Sequence, residues 1–136
     1  MTDLERVDSA YPQVDLLTHT TLLQYDIRRP AENADGGTVA VLLHGRGSHR
    51  GDLQALHPAL PESWALITPQ APYPGHPWGY GSGWAWYRYV EDDRVMEDTL
   101  TQSLASLHAF LLEVPRIVGF QPGRIVLGGF SQGGTM

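Results

Sequence analysis

The stretch that decides the fold is residues 124–136, Arg124-Ile125-Val126-Leu127-Gly128-Gly129-Phe130-Ser131-Gln132-Gly133-Gly134-Thr135-Met136. Its first four residues are predicted to form a short buried strand. A G-x-S-x-G motif follows, in which Gly129 and Gly133 flank Ser131. A chain that reverses from a strand into a helix strains the residue at the turn, and flanking glycines avoid collisions there. The pattern favours a nucleophile elbow with the Ser131 hydroxyl at its tip, and the alternative is a flexible Gly/Ser turn.

The composition is that of an ordinary globular chain, with 42% hydrophobic and 18% charged residues among its 136. The net charge of −6 argues against broad electrostatic binding to nucleic acid or to anionic membranes. Cysteine is absent, which excludes disulfides, thiolate catalysis and thiolate metal sites. No secretory signal and no apolar run of membrane-spanning length is visible, so we expect a cytoplasmic protein.

The hydrophobic pattern predicts alternating strands and helices. In chain order, the predicted elements are a half-exposed edge strand within 20–28, a buried strand at 38–43, a short helix near 51–57, a buried strand at 64–68, an ordered loop or hairpin at 69–89, a long helix opened by Glu91, Asp92 and Asp93, and the strand at 124–127. The long helix carries an apolar stripe and fades before Pro115; the stripe comprises Leu100, Leu104, Leu107, Leu111 and Val114. This alternation indicates an α/β fold with a mostly parallel sheet and helices on both faces. Residues 1–18 are predicted to form an arm, and residues 19–136 to belong to a single domain.

A glycine-rich loop, His44-Gly45-Arg46-Gly47-Ser48, follows the first buried strand. Acyl transfer creates an oxyanion, which needs hydrogen-bond donors already in position. In an elbow, one donor is the N–H of the residue after the nucleophile, here Gln132, and the other comes from a loop after an earlier strand. We select the N–H of Arg46 for this second donor, and expect His44 to hold the loop rather than act as general base. Dinucleotide binding is disfavoured because the glycines at 45, 47 and 51 miss G-x-G-x-x-G by one residue.

Aromatic residues are concentrated between residues 73 and 89. We predict that this stretch lines an apolar substrate pocket, with Trp78, Trp84, Trp86 and Tyr87 as the contributing residues. The alternative is that these rings cover the sheet edge. The histidines at 49, 57, 76 and 108 lack metal-ligand spacing, and residues 91–93 fit a helix start better than a catalytic pair. No metal and no cofactor is therefore expected.

Four short segments occur in the order and at the spacing of a known family: Leu43-His44-Gly45-x-Gly47, Thr68-Pro69-Gln70-Ala71-Pro72, Trp86-Tyr87 and Gly129-Phe130-Ser131-Gln132-Gly133-Gly134. With them the chain resembles the carboxylesterase/phospholipase and acyl-protein thioesterase group of the α/β-hydrolase fold. The resemblance implies a serine hydrolase of small-molecule esters or thioesters that uses no cofactor. It also implies Ser131 as nucleophile and the backbone amides of Arg46 and Gln132 as the oxyanion hole.

The rest of a catalytic triad is not visible. In this fold the triad runs Ser, then Asp or Glu, then His, yet only five residues follow Ser131 and none is an acid or a histidine. We therefore expect the sequence to be the N-terminal part of a domain, truncated after the elbow, that needs roughly another 80 residues. An unpaired edge on the Ser131 strand would make the isolated chain associate. Two alternatives stay open: a non-catalytic binding module, and a lyase or peptidase on the same fold.

Overall fold

A computed structural model describes residues 3–8, 22–30, 35–91 and 94–136. Its main sheet holds five strands: β1 (Leu4–Val7), β2 (Tyr25–Arg28), β3 (Thr38–Leu43), β4 (Ala65–Pro69) and, last in the chain, β9 (Arg124–Gly129). The strand order is β1-β2-β4-β3-β9, with β3, β4 and β9 parallel and with β1 and β2 antiparallel to their neighbours. Two short antiparallel pairs, β5 (Tyr73–Pro74) with β6 (Trp84–Ala85) and β7 (Tyr89–Glu91) with β8 (Arg94–Val95), lie between β4 and the long helix. The predicted α/β alternation is confirmed.

The core is centred on β3 and β4. Val39 and Val41 of β3 are fully buried, as are Leu66 and Ile67 of β4. These strands lack polar–apolar alternation because both of their faces are covered, as is usual for parallel strands. The two predicted buried strands are therefore confirmed, with β4 extending to Pro69.

The prediction of a half-exposed edge strand is wrong for β2. This strand lies between β1 and β4, and its Tyr25, Asp26 and Ile27 are all buried. The alternating pattern places Asp26 on the face opposite Tyr25 and Ile27, which is expected to be exposed, but its Oδ1 lies 3.3 Å from Nε of the buried Arg50. An ion pair of this kind allows a carboxylate to be buried, which strand periodicity does not register.

The helices differ in detail from the prediction. The short helix is a 3-10 helix, Asp52–Ala59, and it includes Pro58 rather than ending before it. The long helix α1 runs Glu97–Leu112, and α2 (Val114–Val118) follows, so the regular helix does fade before Pro115. The predicted start is wrong, because Glu91 lies in β7 and residues 92 and 93 fall outside the described residues. The acidic residues of the first turn are instead Glu97 and Asp98, whose negative charge interacts favourably with the positive end of the helix dipole.

The buried face of α1 is also rotated from the predicted leucine stripe. Its buried residues are Thr99, Ser103, Leu107 and Phe110, whereas Leu104 is 40% exposed. The Ser103 hydroxyl donates to the Trp86 carbonyl, and the Arg88 N–H donates to Thr99 Oγ1 at 3.0 Å. The two hydroxyls therefore face inward because they satisfy backbone groups of residues 86–88.

Strand β9 begins at Arg124 as predicted but is not buried. Among the described strands it pairs with β3 alone, and Ile125 and Leu127 are 40% and 48% exposed. Association of the isolated chain through this edge stays a prediction. At the other end, Leu4–Val7 of the predicted arm pair with β2, while the boundary at residue 18 falls outside the described residues. Within the described ranges no helix combines the length and the apolar character that crossing a membrane requires.

Candidate active site

The turn after β9 holds the backbone of Ser131 in the left-handed region, with φ of 51°. Ser131 is the one non-glycine residue with positive φ in the described part of the chain. The preceding Phe130 N–H donates to the Leu43 carbonyl at 3.0 Å, which extends the β3–β9 pairing up to the turn. A 3-10 helix, Gly133–Thr135, begins directly after it. Since left-handed geometry is unfavourable for a side-chain-bearing residue, the turn holds Ser131 under strain.

The two glycines of the motif are required by close backbone contacts. A Cβ on Gly129 would lie 2.4 Å from the Gly133 carbonyl carbon. A Cβ on Gly133 would lie 2.2 Å from the Leu43 oxygen and 2.5 Å from the His44 oxygen. A side chain at Gly129 would force the turn itself open, and one at Gly133 would force it away from the end of β3, which agrees with the predicted role of these glycines.

The loop after β3 is held from inside by His44. This ring is 1% exposed, and its Nε2 accepts a hydrogen bond from the Ala71 N–H at 3.0 Å. Nδ1 must then carry the proton, which it donates to the Gly45 carbonyl at 2.7 Å. Burial lowers the pKa of His44, so the ring is held neutral with both nitrogens engaged. These contacts support a structural role and leave no nitrogen free for a general base.

The side chain of Gln132 ties the serine turn to the aromatic stretch. Gln132 is 3% exposed; its Oε1 accepts from the Trp86 N–H at 2.8 Å and its Nε2 donates to the Tyr87 carbonyl at 2.9 Å. The Trp86 indole N–H in turn donates to the His44 carbonyl at 2.8 Å. Trp86 therefore bonds both to the loop after β3 and to the turn after β9, and Tyr87 adds a second bond to the turn.

An open cavity of about 600 Å³ lies where the loop and the turn meet. Its lining residues are Gly45, Arg46, Ser48, Asp52, Tyr89, Phe130, Ser131 and Gln132. Three predicted site residues, Arg46, Ser131 and Gln132, are thus brought together at one cavity. In the described chain the backbone N–H groups of Arg46 and Gln132 donate to no protein acceptor. They are available as donors to a bound group.

The cavity also contains charged and hydroxyl-bearing side chains. The Ser48 hydroxyl donates to Asp52 Oδ2 at 2.8 Å. The Tyr89 ring lies under the Arg46 guanidinium, with Cζ 5.4 Å from the ring centroid. The hydrogen bond with the Tyr87 hydroxyl and partial burial raise the pKa of Tyr89, which keeps the phenol neutral. Among the described residues no group of three or more histidine, aspartate or glutamate side chains could hold a metal.

The four aromatic residues predicted to line a substrate pocket do not line this cavity. Trp86 is fully buried and Tyr87 is 4% exposed, so both belong to the core. Trp84 borders two smaller cavities, and Trp78 packs against Tyr73 with ring centroids 4.9 Å apart. The alternative, in which these rings cover the sheet edge, stays a prediction.

Sequence reasoning missed four residues that line the cavity: Ser48, Asp52, Tyr89 and Phe130. Ser48 precedes the 3-10 helix that begins at Asp52, so helical spacing does not predict that their side chains meet. Phe130 stands next to the serine inside the motif itself. Tyr89 ends the aromatic stretch, and no pattern in the sequence distinguishes it from the rings that became core.

Comparison with known proteins identifies a family and a fold. The family model for phospholipase/carboxylesterase matches residues 27–136. The chain is similar to esterase PE8, with 28% identity over 83% of this chain and 54% of that one, at a TM-score of 0.64. It is also similar in structure to the carboxylesterase from Mesorhizobium loti, at 18% identity over 81% of this chain and 49% of that one, with a TM-score of 0.67.

A third similar structure is the Bacillus cereus carboxylesterase, at 20% identity over 82% of this chain and 49% of that one, with a TM-score of 0.67. The chain therefore spans about half the length of these solved relatives. Together, the family match and the structural similarity show an α/β-hydrolase-like fold.

Proposed function

The chain belongs to the phospholipase/carboxylesterase family, and on that premise we propose that it carries the nucleophile and the oxyanion hole of a serine hydrolase. The substrates are carboxylic esters or thioesters of small molecules. Ser131 is the nucleophile, at the tip of a nucleophile elbow. The observation that carries the proposal is the strained backbone of Ser131 at a cavity bordered by two residues whose backbone N–H groups have no protein acceptor in the described chain.

Strain at Ser131 supports the role of nucleophile. A positive φ at a non-glycine residue costs free energy and persists where the surroundings impose it. Here the flanking Gly129 and Gly133 allow the close backbone approach of the turn, and Ser131 is exposed between a strand and a 3-10 helix. This is the geometry by which an elbow projects its hydroxyl towards a substrate.

The N–H groups of Arg46 and Gln132 support an oxyanion hole. Neither has a protein acceptor in the described ranges, and both residues border the cavity with Ser131. Fixed donors stabilise a developing oxyanion because they need no reorganisation during the reaction. The hydrogen bonds of the Gln132 side chain hold the turn that carries the Gln132 N–H. Those of His44 hold the loop that carries the Arg46 N–H.

The proposal requires a general base. No histidine borders the cavity among the residues the structure describes, and His44 has both ring nitrogens engaged. In the order typical of this fold, an acid and then a histidine follow the serine. We propose that the whole protein supplies that histidine to Ser131.

The reaction then proceeds in two balanced steps. Ser131 Oγ attacks the carbonyl carbon as the base takes its proton, and the carbonyl oxygen becomes an oxyanion held by the two N–H groups. The C–O or C–S bond to the leaving group breaks, the base returns the proton to the alcohol or thiol, and an acyl-serine ester remains. Water then attacks that ester, releasing the carboxylic acid and restoring the serine hydroxyl.

The experiment uses the whole protein and a fluorophosphonate probe. We expect covalent labelling on the peptide that contains Ser131, together with hydrolysis of p-nitrophenyl butanoate. Ser131→Ala should abolish labelling and reduce kcat/KM by at least about 10³-fold, because the covalent step is lost. Ser63→Ala is the matched control, since Ser63 is an exposed serine remote from the cavity lining.

Two outcomes separate the alternatives. Wild-type hydrolysis by Ser131→Ala would refute the assignment of the nucleophile. A correctly folded whole protein that neither reacts with the probe nor hydrolyses esters would instead favour a non-catalytic binding module.

A further inference from the structure

We propose that the Arg46 side chain selects esters that carry an additional carboxylate, held against the guanidinium in the cavity beside Ser131. The inference rests on the proposed function, since it names the substrate class of the same site. Arg46 would then serve twice, with its backbone N–H at the oxyanion and its side chain at the second acidic group.

Two tyrosines fix the Arg46 guanidinium by stacking. Its Cζ lies 4.6 Å from the ring centroid of Tyr80 and 5.4 Å from that of Tyr89. The Tyr80 ring is also linked to residue 89, because the backbone N–H of Tyr89 donates to the Tyr80 hydroxyl at 3.0 Å. Cation–π contacts of this kind orient the guanidinium while leaving its N–H donors unused.

The guanidinium has no acidic partner within the described ranges. No ion pair and no hydrogen bond of the Arg46 side chain is found among the described residues. Asp52 borders the same cavity, but its Oδ2 accepts from the Ser48 hydroxyl rather than from Arg46. Arg46 therefore borders the cavity with an oriented guanidinium that no acidic side chain of the described residues neutralises.

A carboxylate is the group that this arrangement fits. The planar guanidinium offers paired donors that match the two oxygens of a carboxylate. With one arginine and one aspartate in the lining, the described cavity has no net charge, so selection depends on direct contact rather than on a long-range field. A substrate must therefore place its carboxylate within contact distance of the guanidinium while its ester carbonyl lies at Ser131.

The test compares matched pairs of esters in the whole protein. One pair carries the charge on the acyl part: p-nitrophenyl hydrogen adipate and its methyl ester. The other carries it on the leaving group: 4-acetoxybenzoate and methyl 4-acetoxybenzoate. The readout is the ratio of kcat/KM for the anionic ester to that for the neutral one, because a displaced oxyanion N–H lowers both values and leaves the ratio unchanged.

We expect Arg46→Gln to lower this ratio about 10- to 100-fold in at least one pair, the range typical of a hydrogen bond to a charged group. Arg88→Gln is the control, since it removes the same charge from an exposed arginine that lies over Trp78 outside the cavity lining. It should leave the ratio at the wild-type value. Arg46→Lys should restore part of the ratio, because it keeps the charge without the planar donor pair.

Three results would overturn the inference. Equal ratios for wild type and Arg46→Gln in both pairs would show that the guanidinium does not contact the substrate. An equal fall in Arg88→Gln would show a general charge effect. Absence of hydrolysis of all four esters would refute the proposed function, and this inference with it, whereas hydrolysis with unchanged ratios refutes the inference alone.

Discussion

The Oε1 atom of Gln132 accepts a hydrogen bond from the backbone N–H of Trp86 at 2.8 Å, and both residues are buried. The same amide donates through Nε2 to the Tyr87 carbonyl at 2.9 Å. One side chain thus satisfies two backbone groups of a segment 45 and 46 residues away in sequence. The backbone N–H of Gln132 is the proposed oxyanion donor. The side-chain amide of the same residue therefore links the packing of the core to the position of that donor.

Gln132→Ala should therefore lower both stability and activity of the whole protein. The substitution leaves the Trp86 N–H and the Tyr87 carbonyl buried without a partner, which costs about 1–3 kcal/mol of unfolding free energy. Loss of the anchor also frees the turn, so kcat should fall at temperatures where the protein is still folded. Urea denaturation and p-nitrophenyl butanoate hydrolysis measure the two effects.

Gln121→Ala is the control for that substitution, since Gln121 is exposed and its only hydrogen bonds in the described chain are through the backbone. It should change the unfolding free energy by less than about 0.5 kcal/mol. An equal loss in the two variants would show that the Gln132 amide has no special role.

Gly133→Ala should destabilise the protein more than an alanine substitution at a glycine where the only cost is an unfavourable backbone conformation. The added Cβ would lie 2.2 Å from the Leu43 oxygen, a collision with backbone that cannot rotate away. We expect a loss of at least about 3 kcal/mol, the upper part of the range for overpacking. Gly79→Ala isolates the conformational part, because Gly79 has φ of 77° but no atom near the added Cβ. Its expected cost is about 1–2 kcal/mol, and a Gly133→Ala cost no larger than this would contradict the steric argument.

Ser131→Gly should be more stable than Ser131→Ala. Glycine relieves the left-handed strain, worth about 1–2 kcal/mol, while its added freedom in the unfolded chain offsets about half of that. The expected difference in unfolding free energy is about 0.5–1 kcal/mol in favour of glycine, measured by urea denaturation. Both variants lack the hydroxyl and should be inactive.

Ser63 is the control, because there the difference in unfolding free energy between the glycine and alanine variants should have the opposite sign. It is exposed in a turn and does not have a positive φ. Ser63→Gly should therefore be less stable than Ser63→Ala, because glycine there gains freedom without relieving strain. If glycine were also the worse substitute at position 131, the turn would not be strained.

How far the sequence predicts this molecule depends on whether a residue's partner is near or far along the chain. Gly129, Ser131 and Gly133 lie within one turn and Gly129 meets Gly133 and Gly134 there, so their local spacing predicts the turn, although the contact of Gly133 with Leu43 is distant in sequence. The buried strands are predictable for a similar reason, since an unbroken apolar run is typical of a strand that is covered on both faces.

The errors arise where distant contacts reverse a local preference. Asp26 is buried because Arg50 lies beside it, and Ser103 is buried because the Trp86 carbonyl accepts its hydrogen bond. The partners of each contact are too far apart in sequence for a local pattern to show that either residue is buried. The burial of Trp86, against the expectation of a pocket ring, has the same origin, since its backbone N–H and its indole reach Gln132 and His44.

The stability of the protein should fall in mildly acidic solution because of His44. Burial lowers the pKa of this ring in the folded state below its ordinary value of 6.5. The unfolded state therefore binds more protons than the folded state once the pH falls below about 6.5. The contribution of a neutral His44 is fully present above that pH and is lost progressively below it. Urea denaturation at pH 7.5 and at pH 5.5 should show a loss of up to about 1.4 kcal/mol from this residue.

His44→Gln identifies the residue responsible. Glutamine does not titrate, so the decrease in stability between the two pH values should shrink by that same amount, although the variant is less stable at both. His108→Gln is the matched control, because His108 is exposed on α1 and should leave the decrease unchanged. An undiminished decrease in His44→Gln would mean that other groups cause the acid sensitivity, and that the His44 ring accepts a proton in the folded state as readily as in the unfolded one.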